Sequence, residues 1–293
     1  MWEEIIMSLI SAIFQAIIQG LTEFLPVSSS GHLSLYQHFT GNSGEGALFF
    51  SAVLHLGTLL AVFVAYRVRI INMIKEFFSM IGDISHKKFS LKEANADRRM
   101  VVMVIASTLC LLPFAIFKGW FESVAEDSSI FAEGLCFLYT AAILFLSTKC
   151  MNGRKKAGNI TGRDSVVIGL FQGVALLPGV SRSGSTISAG LFCGLSRATA
   201  VEYSFILGMP AILAGCLSEL LKAIKEGAAI QWGHCFIGFV VAAAVGLGAI
   251  KLINWLVKSD RFKIFAIYTL ALGGVVLLIS IIEAIKGSPI TFA

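Results

Sequence analysis

The sequence predicts an all-α polytopic membrane protein built as an inverted-topology repeat. Each half is a re-entrant broken helix followed by three transmembrane helices. Three observations carry this. Hydrophobic residues make up 56% of the 293 positions and charged residues 14%, against about 25% charged in an ordinary soluble domain, and mean hydropathy is +0.83. Two polar-interrupted apolar segments share one pattern at a fixed offset. Lys and Arg alternate between heavily and lightly basic connecting segments. This composition excludes a disordered chain, a coiled coil, a disulfide-stapled secreted module and a nucleic-acid partner.

Taken in chain order, the first apolar stretch follows Glu3 and Glu4 rather than a basic start, so no cleavable signal peptide is expected. Residues 5–26 are interrupted by Gln15, Gln19, Gly20 and Glu23, then stopped by Pro26 and a Ser run. Such a segment enters a membrane and breaks, which is tolerated only inside protein or beside a water-filled cavity. Spans of the roughly 20 residues a bilayer core needs follow at about 47–66, 100–117 and 130–148. Between the first two, apolar residues at 70, 71, 74, 77, 78 and 81 predict an interfacial helix over 69–81. A basic linker, 149–164, leads to a second broken segment at 165–181 carrying Gln172, Gly173 and Pro178, then to spans at 200–220, 234–257 and 264–286. The expected organisation is a single membrane domain over 1–293, with repeat 1 at about 1–148 and repeat 2 at about 165–286.

The duplication is visible in the motifs. QGLTEFLPVSSSG occupies 19–31 and QGVALLPGVSRSG occupies 172–184, an offset of 153, and the next spans begin near 47 and 200 with the same offset. An odd number of spans per repeat inverts the second copy. Segments 67–99, 149–163 and 258–263 hold sixteen Lys/Arg and segments 118–129 and 221–233 hold three. The first group is therefore assigned to the cytoplasm, with both termini outside and the two broken helices meeting near the midplane, where repeats of this kind place their site.

Glu23, His32 and Arg182 lie in or beside the broken helices, where a charge costs about 2.5–3.5 kcal/mol on insertion scales. Their grouping in paired motifs points to function. The Ser/Gly turns supply backbone N–H groups and hydroxyls (Ser28, Ser29, Ser30 with Gly31; Ser181, Ser183, Ser185, Thr186 with Gly184), a setting that binds anions. The Arg182 fork suits two phosphate oxygens. Gln172, the repeat partner of Gln19, is expected to line the pocket from the opposite side. His55 reads as a hydrogen-bonded packing residue, and Glu202 as a structural partner of Arg197. His38, His86 and His234 read as surface or interfacial residues. The six cysteines lack metal spacing and behave as small hydrophobes.

QGLTEFLPVSSSGH (19–32) and PGVSRSGST (178–186) resemble the two signatures of the undecaprenyl-diphosphate phosphatase, or bacitracin-resistance, family, and HLGTLLAV (55–62) and SRATAVEYSFILGMP (196–210) extend the likeness over essentially the whole chain. The resemblance implies a hydrolase of the bacterial inner membrane that converts undecaprenyl diphosphate to the monophosphate and inorganic phosphate. That reaction recycles the lipid carrier for cell-wall synthesis and confers bacitracin resistance. It also implies a divalent cation, Mg²⁺ or Ca²⁺, and a pocket open to the periplasmic side. Catalytic roles fall on Glu23, Ser29, His32 and Arg182, and substrate contacts on Gln19, Ser28, Ser30, Gly31, Gln172, Ser181, Ser183, Gly184 and Thr186. Metal binding falls on Glu23, with Gln19 beside it; many members carry Glu at that position, so only one carboxylate is expected here. Ser29, His32 and an activated water all stay open as the attacking group. Polyprenyl diphosphate and membrane lipids are the expected partners, and a homodimer is left open.

Two rival classes share parts of this pattern. A secondary transporter or lipid flippase shares the repeat architecture but does not require Arg182, Glu23 and His32 around hydroxyl-rich turns. The lipid phosphatases with a PSGH motif need a later His and Asp that this chain lacks after Ser196–Arg197.

Overall fold

The computed structural model describes residues 8–40, 47–91, 93–116, 129–177, 179–226, 230–259 and 261–291. Glu3, Glu4, Pro178 and most of segment 118–129 lie outside them. Within the described residues the chain is helical, with one isolated bridge between Lys155 and Leu195.

Helix α1 (Leu9–Thr22) begins at Ser8, whose side chain accepts from the Ser11 N–H, and ends at the polar interruption around Glu23. The Ser run is not an extended loop. It opens a second helix, α2 (Ser29–Thr40). Helix α3 (Ala47–Ala65) is followed, after an 88° bend at Tyr66, by α4 (Arg67–Ser85), which contains the expected interfacial segment 69–81.

The expected span 100–117 is corrected. Helix α5 (Ala96–Leu109) starts earlier, capped by Asn95 Oδ1 accepting from the Arg98 N–H at 2.8 Å, and stops at Cys110. Pro113 then sits in the first turn of a short helix, α6 (Leu112–Ala115), because proline has no N–H to continue the ladder. Helix α7 (Phe131–Ser147) matches its expected span. The second half contains α8 (Gly162–Val174), α9 (Arg182–Phe192), α10 (Arg197–Glu226), α11 (Trp232–Lys258) and α12 (Lys263–Lys286). Four of the described helices, α7, α10, α11 and α12, are long and apolar enough to cross a membrane.

Contacts divide the bundle into two ends. At one end Arg69 of α4 bonds Asp97 of α5 and, at 2.9 Å, Glu202 of α10. Arg197 donates there to the carbonyls of Met151 and Val257. Glu202 accepts from Arg69, a partner the sequence did not offer, because the approach of α4 to α10, 133 residues away, is invisible in local spacing. The basic segments 67–99, 149–163 and 258–263 all border this end. The α8–α9 hairpin is anchored here too: Asp164 is bonded by Lys155 at 3.0 Å, and Lys155 bridges to Leu195 after α9.

The α1–α2 hairpin is anchored at the other end of α12. His38 meets Glu283 at 2.8 Å, and the Tyr36 hydroxyl donates to Ser11 Oγ at 3.0 Å. Both hairpins pack on helices of the other half, α1 on α11 and α8 on α5. Glycine permits this close approach: a Cβ on Gly20 would lie 2.9 Å from the Ala242 carbonyl, and one on Gly169 would lie 2.5 Å from that of Ser107.

Candidate active site

The two hairpin tips meet. In the first, the Glu23 N–H closes α1 onto the Gln19 carbonyl, the chain turns through Pro26, and Ser28 takes φ +73°. That left-handed conformation is costly for a residue with a Cβ. It is held by the His32 N–H donating to the Ser28 carbonyl at 3.2 Å and by Ser28 Oγ accepting from the Gly31 N–H at 3.2 Å. In the second, Gly179 takes φ +90° and Ser181 caps α9, its Oγ accepting from the Gly184 N–H at 3.0 Å. The Gly179 N–H donates to Ser30 Oγ at 3.2 Å, and Ser183 Oγ donates to the Leu25 carbonyl at 3.3 Å. These bonds join segments about 150 residues apart in the chain.

Glu23 is the hub of the junction. One carboxylate oxygen is ion-paired with Arg182 Nη2. The other accepts from Gln19 Nε2 at 2.9 Å and Ser29 Oγ at 2.8 Å, with His55 Nε2 3.7 Å away. The carboxylate is almost wholly buried, so the guanidinium and these donors are what make its charge tolerable. A cavity of about 460 Å³ opens beside it, bordered by Glu23, Ser29, His55 and Arg182 together with the α10 residues Ala211 to Glu219 on the side away from Arg197.

The sequence-derived residues fall into three groups. Glu23, Ser29, Ser30, Ser181, Arg182 and Ser183 border the cavity. Gln19, Ser28, Gly31 and Gly184 shape the turns behind it. His32, Gln172 and Thr186 do not border it. His32 turns away: Nδ1 donates to the Ser28 carbonyl at 2.7 Å, Nε2 accepts from the Tyr268 hydroxyl at 2.7 Å, and the ring stacks on Tyr268. Gln172 is buried with neither amide atom bonded, and Thr186 Oγ1 is tied to Ser204 Oγ at 2.5 Å.

Two further residues stand at the site: His55, expected only to pack, and Gly208. His55 donates through Nδ1 to the Ser51 carbonyl at 2.8 Å, leaving Nε2 toward the carboxylate and the cavity, and it is the imidazole within reach of Glu23. Gly208 seats the guanidinium: a Cβ there would overlap Arg182 Nη1. Positions 55 and 208 are 153 apart, the offset of the duplication, and that coincidence was the available signal.

The donors suit a divalent cation that arrives with phosphate oxygens and keeps its waters, which needs only one or two protein ligands. Glu23 supplies a carboxylate, and Gln19 Oε1, one helical turn away, is buried without a partner. Among the described residues there is no cluster of three His, Cys, Asp or Glu that would form an all-protein cage.

Comparison with known proteins agrees with the motifs. The family described as "Bacitracin resistance protein BacA" matches residues 12–275. The chain belongs to this family. An undecaprenyl-diphosphatase of Methanobrevibacter smithii is 41% identical over 94% of the chain and 99% of its own length. Undecaprenyl-diphosphatases of Desulfosudis oleivorans (39%; 92% of the chain and 97% of the relative) and Alkaliphilus metalliredigens (36%; 94% and 100%) are similar over the same extent. As a BacA-family chain it is a helical, multi-span membrane protein, and the polar groups gathered around Glu23 stand apart from its otherwise apolar composition.

Proposed function

We propose that this chain is an integral membrane phosphatase that hydrolyses undecaprenyl diphosphate to undecaprenyl phosphate and inorganic phosphate, and that this activity confers bacitracin resistance. The observation that carries it is the buried Glu23–Arg182 pair with Ser29 hydrogen-bonded to the same carboxylate at the edge of an open cavity. A binding or transport site needs the guanidinium. A hydroxyl aligned on a carboxylate is the arrangement of an activated nucleophile.

In this reading Arg182 and the N–H groups opening α9 hold the terminal phosphate and balance the charge that develops on it. Ser29 Oγ attacks the terminal phosphorus as its proton passes to Glu23. The bond from phosphorus to the bridging oxygen breaks, and the lipid monophosphate leaves with that oxygen. Water then attacks the phosphoserine, giving up its proton to His55 Nε2; Ser29 recovers its own proton from Glu23 as inorganic phosphate leaves, and His55 releases the water's proton to bulk solvent through the cavity. A divalent cation held by Glu23 and Gln19 Oε1 would neutralise phosphate oxygens. Release of phosphate from undecaprenyl diphosphate by the purified protein, with and without chelator, tests the reading. Absence of release, with the lipid moved intact between vesicle leaflets, would favour a transporter.

The basic end of the bundle is read as cytoplasmic and the cavity mouth, at the far end of α10, as facing outside the cell. The hairpins anchored at opposite ends support the inverted repeat. Helix α10, at about 1.5 Å per residue, is about 45 Å long. Gly208 and Arg182 then lie about 16 Å from its basic end, near the depth of a bilayer midplane.

His55→Gln should lower kcat by about 10²-fold, the scale of a lost proton acceptor, while His32→Gln lowers it less. Single-turnover phosphate release compares them, and the reverse ranking would return the proton-transfer role to His32. Gln19→Glu should lower the Mg²⁺ concentration for half-maximal activity, because a second carboxylate strengthens the donor set; an unchanged Mg²⁺ titration would exclude position 19 from metal binding.

A further inference from the structure

At the basic end of the bundle, far from the cavity beside Glu23, lies a second and larger cavity of about 610 Å³. It runs between the end of α3, the start of α4 and the last two turns and more of α11. Its wall has a distinct order. Val64, Leu247 and Ile250 form an apolar floor toward the bundle middle. Tyr66 and Asn254, bonded to each other at 3.2 Å, form a polar step. Arg67, Lys251 and Lys258 form a cationic rim, with Trp255 half exposed among them and Arg261 5.5 Å above the Trp255 ring.

No acid borders this cavity, and among the described residues Arg67, Lys251 and Lys258 have no carboxylate partner. The contrast with the neighbouring cations is sharp. Arg69 holds Asp97 and Glu202, Arg98 holds Glu76 and Asp83, and Lys155 holds Asp164. Three cations left unneutralised around one groove, above an apolar floor and beside an indole at interface depth, match an amphiphile with an anionic head and a hydrocarbon tail.

We propose that this groove binds the phosphate headgroup of an anionic membrane lipid, its acyl chains lying along Val64, Leu247 and Ile250. The 88° bend between α3 and α4 shapes the site, since it places Arg67, whose Nη1 donates to the Val64 carbonyl at 3.4 Å, on the same rim as Lys251 and Lys258. Lipid bound there braces the bend from outside, as the Arg69 ion pairs brace it from inside.

The two exposed tryptophans of α11 test this directly, because Trp232 lies at the opposite end of the same helix. Two single-tryptophan proteins are needed, one keeping Trp255 (Trp2→Phe, Trp120→Phe, Trp232→Phe) and one keeping Trp232 (Trp2→Phe, Trp120→Phe, Trp255→Phe). Each is placed in vesicles of phosphatidylcholine and phosphatidylglycerol, with one or the other lipid brominated on its acyl chains. The expected result is about fivefold enrichment of phosphatidylglycerol at Trp255, the scale of one well-placed cation near an anionic surface, and none at Trp232. Arg67→Gln, Lys251→Gln, Lys258→Gln in one chain should bring Trp255 to parity while phosphate release persists, which separates a lost site from a lost fold; Lys251→Gln alone should give an intermediate value. Equal quenching by both lipids at Trp255, or enrichment that survives the triple substitution, overturns the proposal. Loss of the enrichment on adding excess inorganic phosphate at constant ionic strength would reassign the groove to free phosphate and overturn it as a lipid site.

Discussion

Arg182→Ala should lower kcat/KM for phosphate release by about 10³-fold or more, the range seen when the cation facing a transferring phosphoryl group is removed. The same substitution strands the Glu23 carboxylate in a buried position without its guanidinium partner, beside Gln19, Ser29 and, at 3.7 Å, His55 Nε2. Breaking a buried pair from one side costs about 3–5 kcal/mol, so lost activity in the single variant has two sources. They separate in Glu23→Gln, Arg182→Gln, where no charge is left unpaired. That double variant should recover most of the thermal stability and none of the turnover. Recovery of turnover together with stability would mean that the pair is only structural, and the phosphatase reading of this site would fail with it.

The second large effect is expected from a residue with no side chain. Gly208 lies on α10 where the Arg182 guanidinium rests, and a methyl group there would occupy the place of Nη1. Arg182 Nη1 also donates to the Ser204 carbonyl one turn earlier, so its head is clamped along the helix and has little freedom to slide. Gly208→Ala should therefore displace the guanidinium by about 1 Å and lower kcat/KM by about 10²-fold. The stability cost should be only the 1–3 kcal/mol typical of overpacking. Gly248→Ala on exposed α11 surface, where an added Cβ meets nothing within 4 Å, is the matching control and should leave activity unchanged and lower no stability, since Ala is the better helix former by about 0.5–1 kcal/mol. Comparable loss in the two variants would show that helix glycines in general, rather than the arginine seat, limit activity.

Much of this molecule was legible before any coordinates. Long apolar spans advertise themselves by composition, and α7, α10, α11 and α12 lie where hydropathy put them. Helix α4 was readable because a 3.6-residue apolar period survives in isolation. The meeting of Glu23, Ser29 and Arg182 could be expected because duplicated motifs announce convergent turns. What escaped was set by contacts between distant segments. The span at 100–117 looked continuous to a hydropathy window, yet one imide nitrogen at Pro113 ends it early. His32 drew a role from its place in the paired motifs and the family signature, whereas in the fold its Nε2 meets the Tyr268 hydroxyl, 236 residues away. His55 stood in an apolar run where a packing role was the simpler reading, and only the approach of α3 to α1 brings its Nε2 beside the carboxylate.

The pairing of Glu23 with Arg182 also sets a threshold for what the pocket will accept. Before any ligand arrives, the guanidinium already has an anion, supplied by the chain itself at fixed and very high local concentration. An incoming group must outcompete that internal rival, so ligands are sorted by valence: a terminal phosphate flanked by a second one brings enough negative charge to supplant the carboxylate, whereas a lone phosphate brings less. The same rivalry works in reverse after hydrolysis, when the returning carboxylate helps to evict the orthophosphate and resets the enzyme for the next lipid.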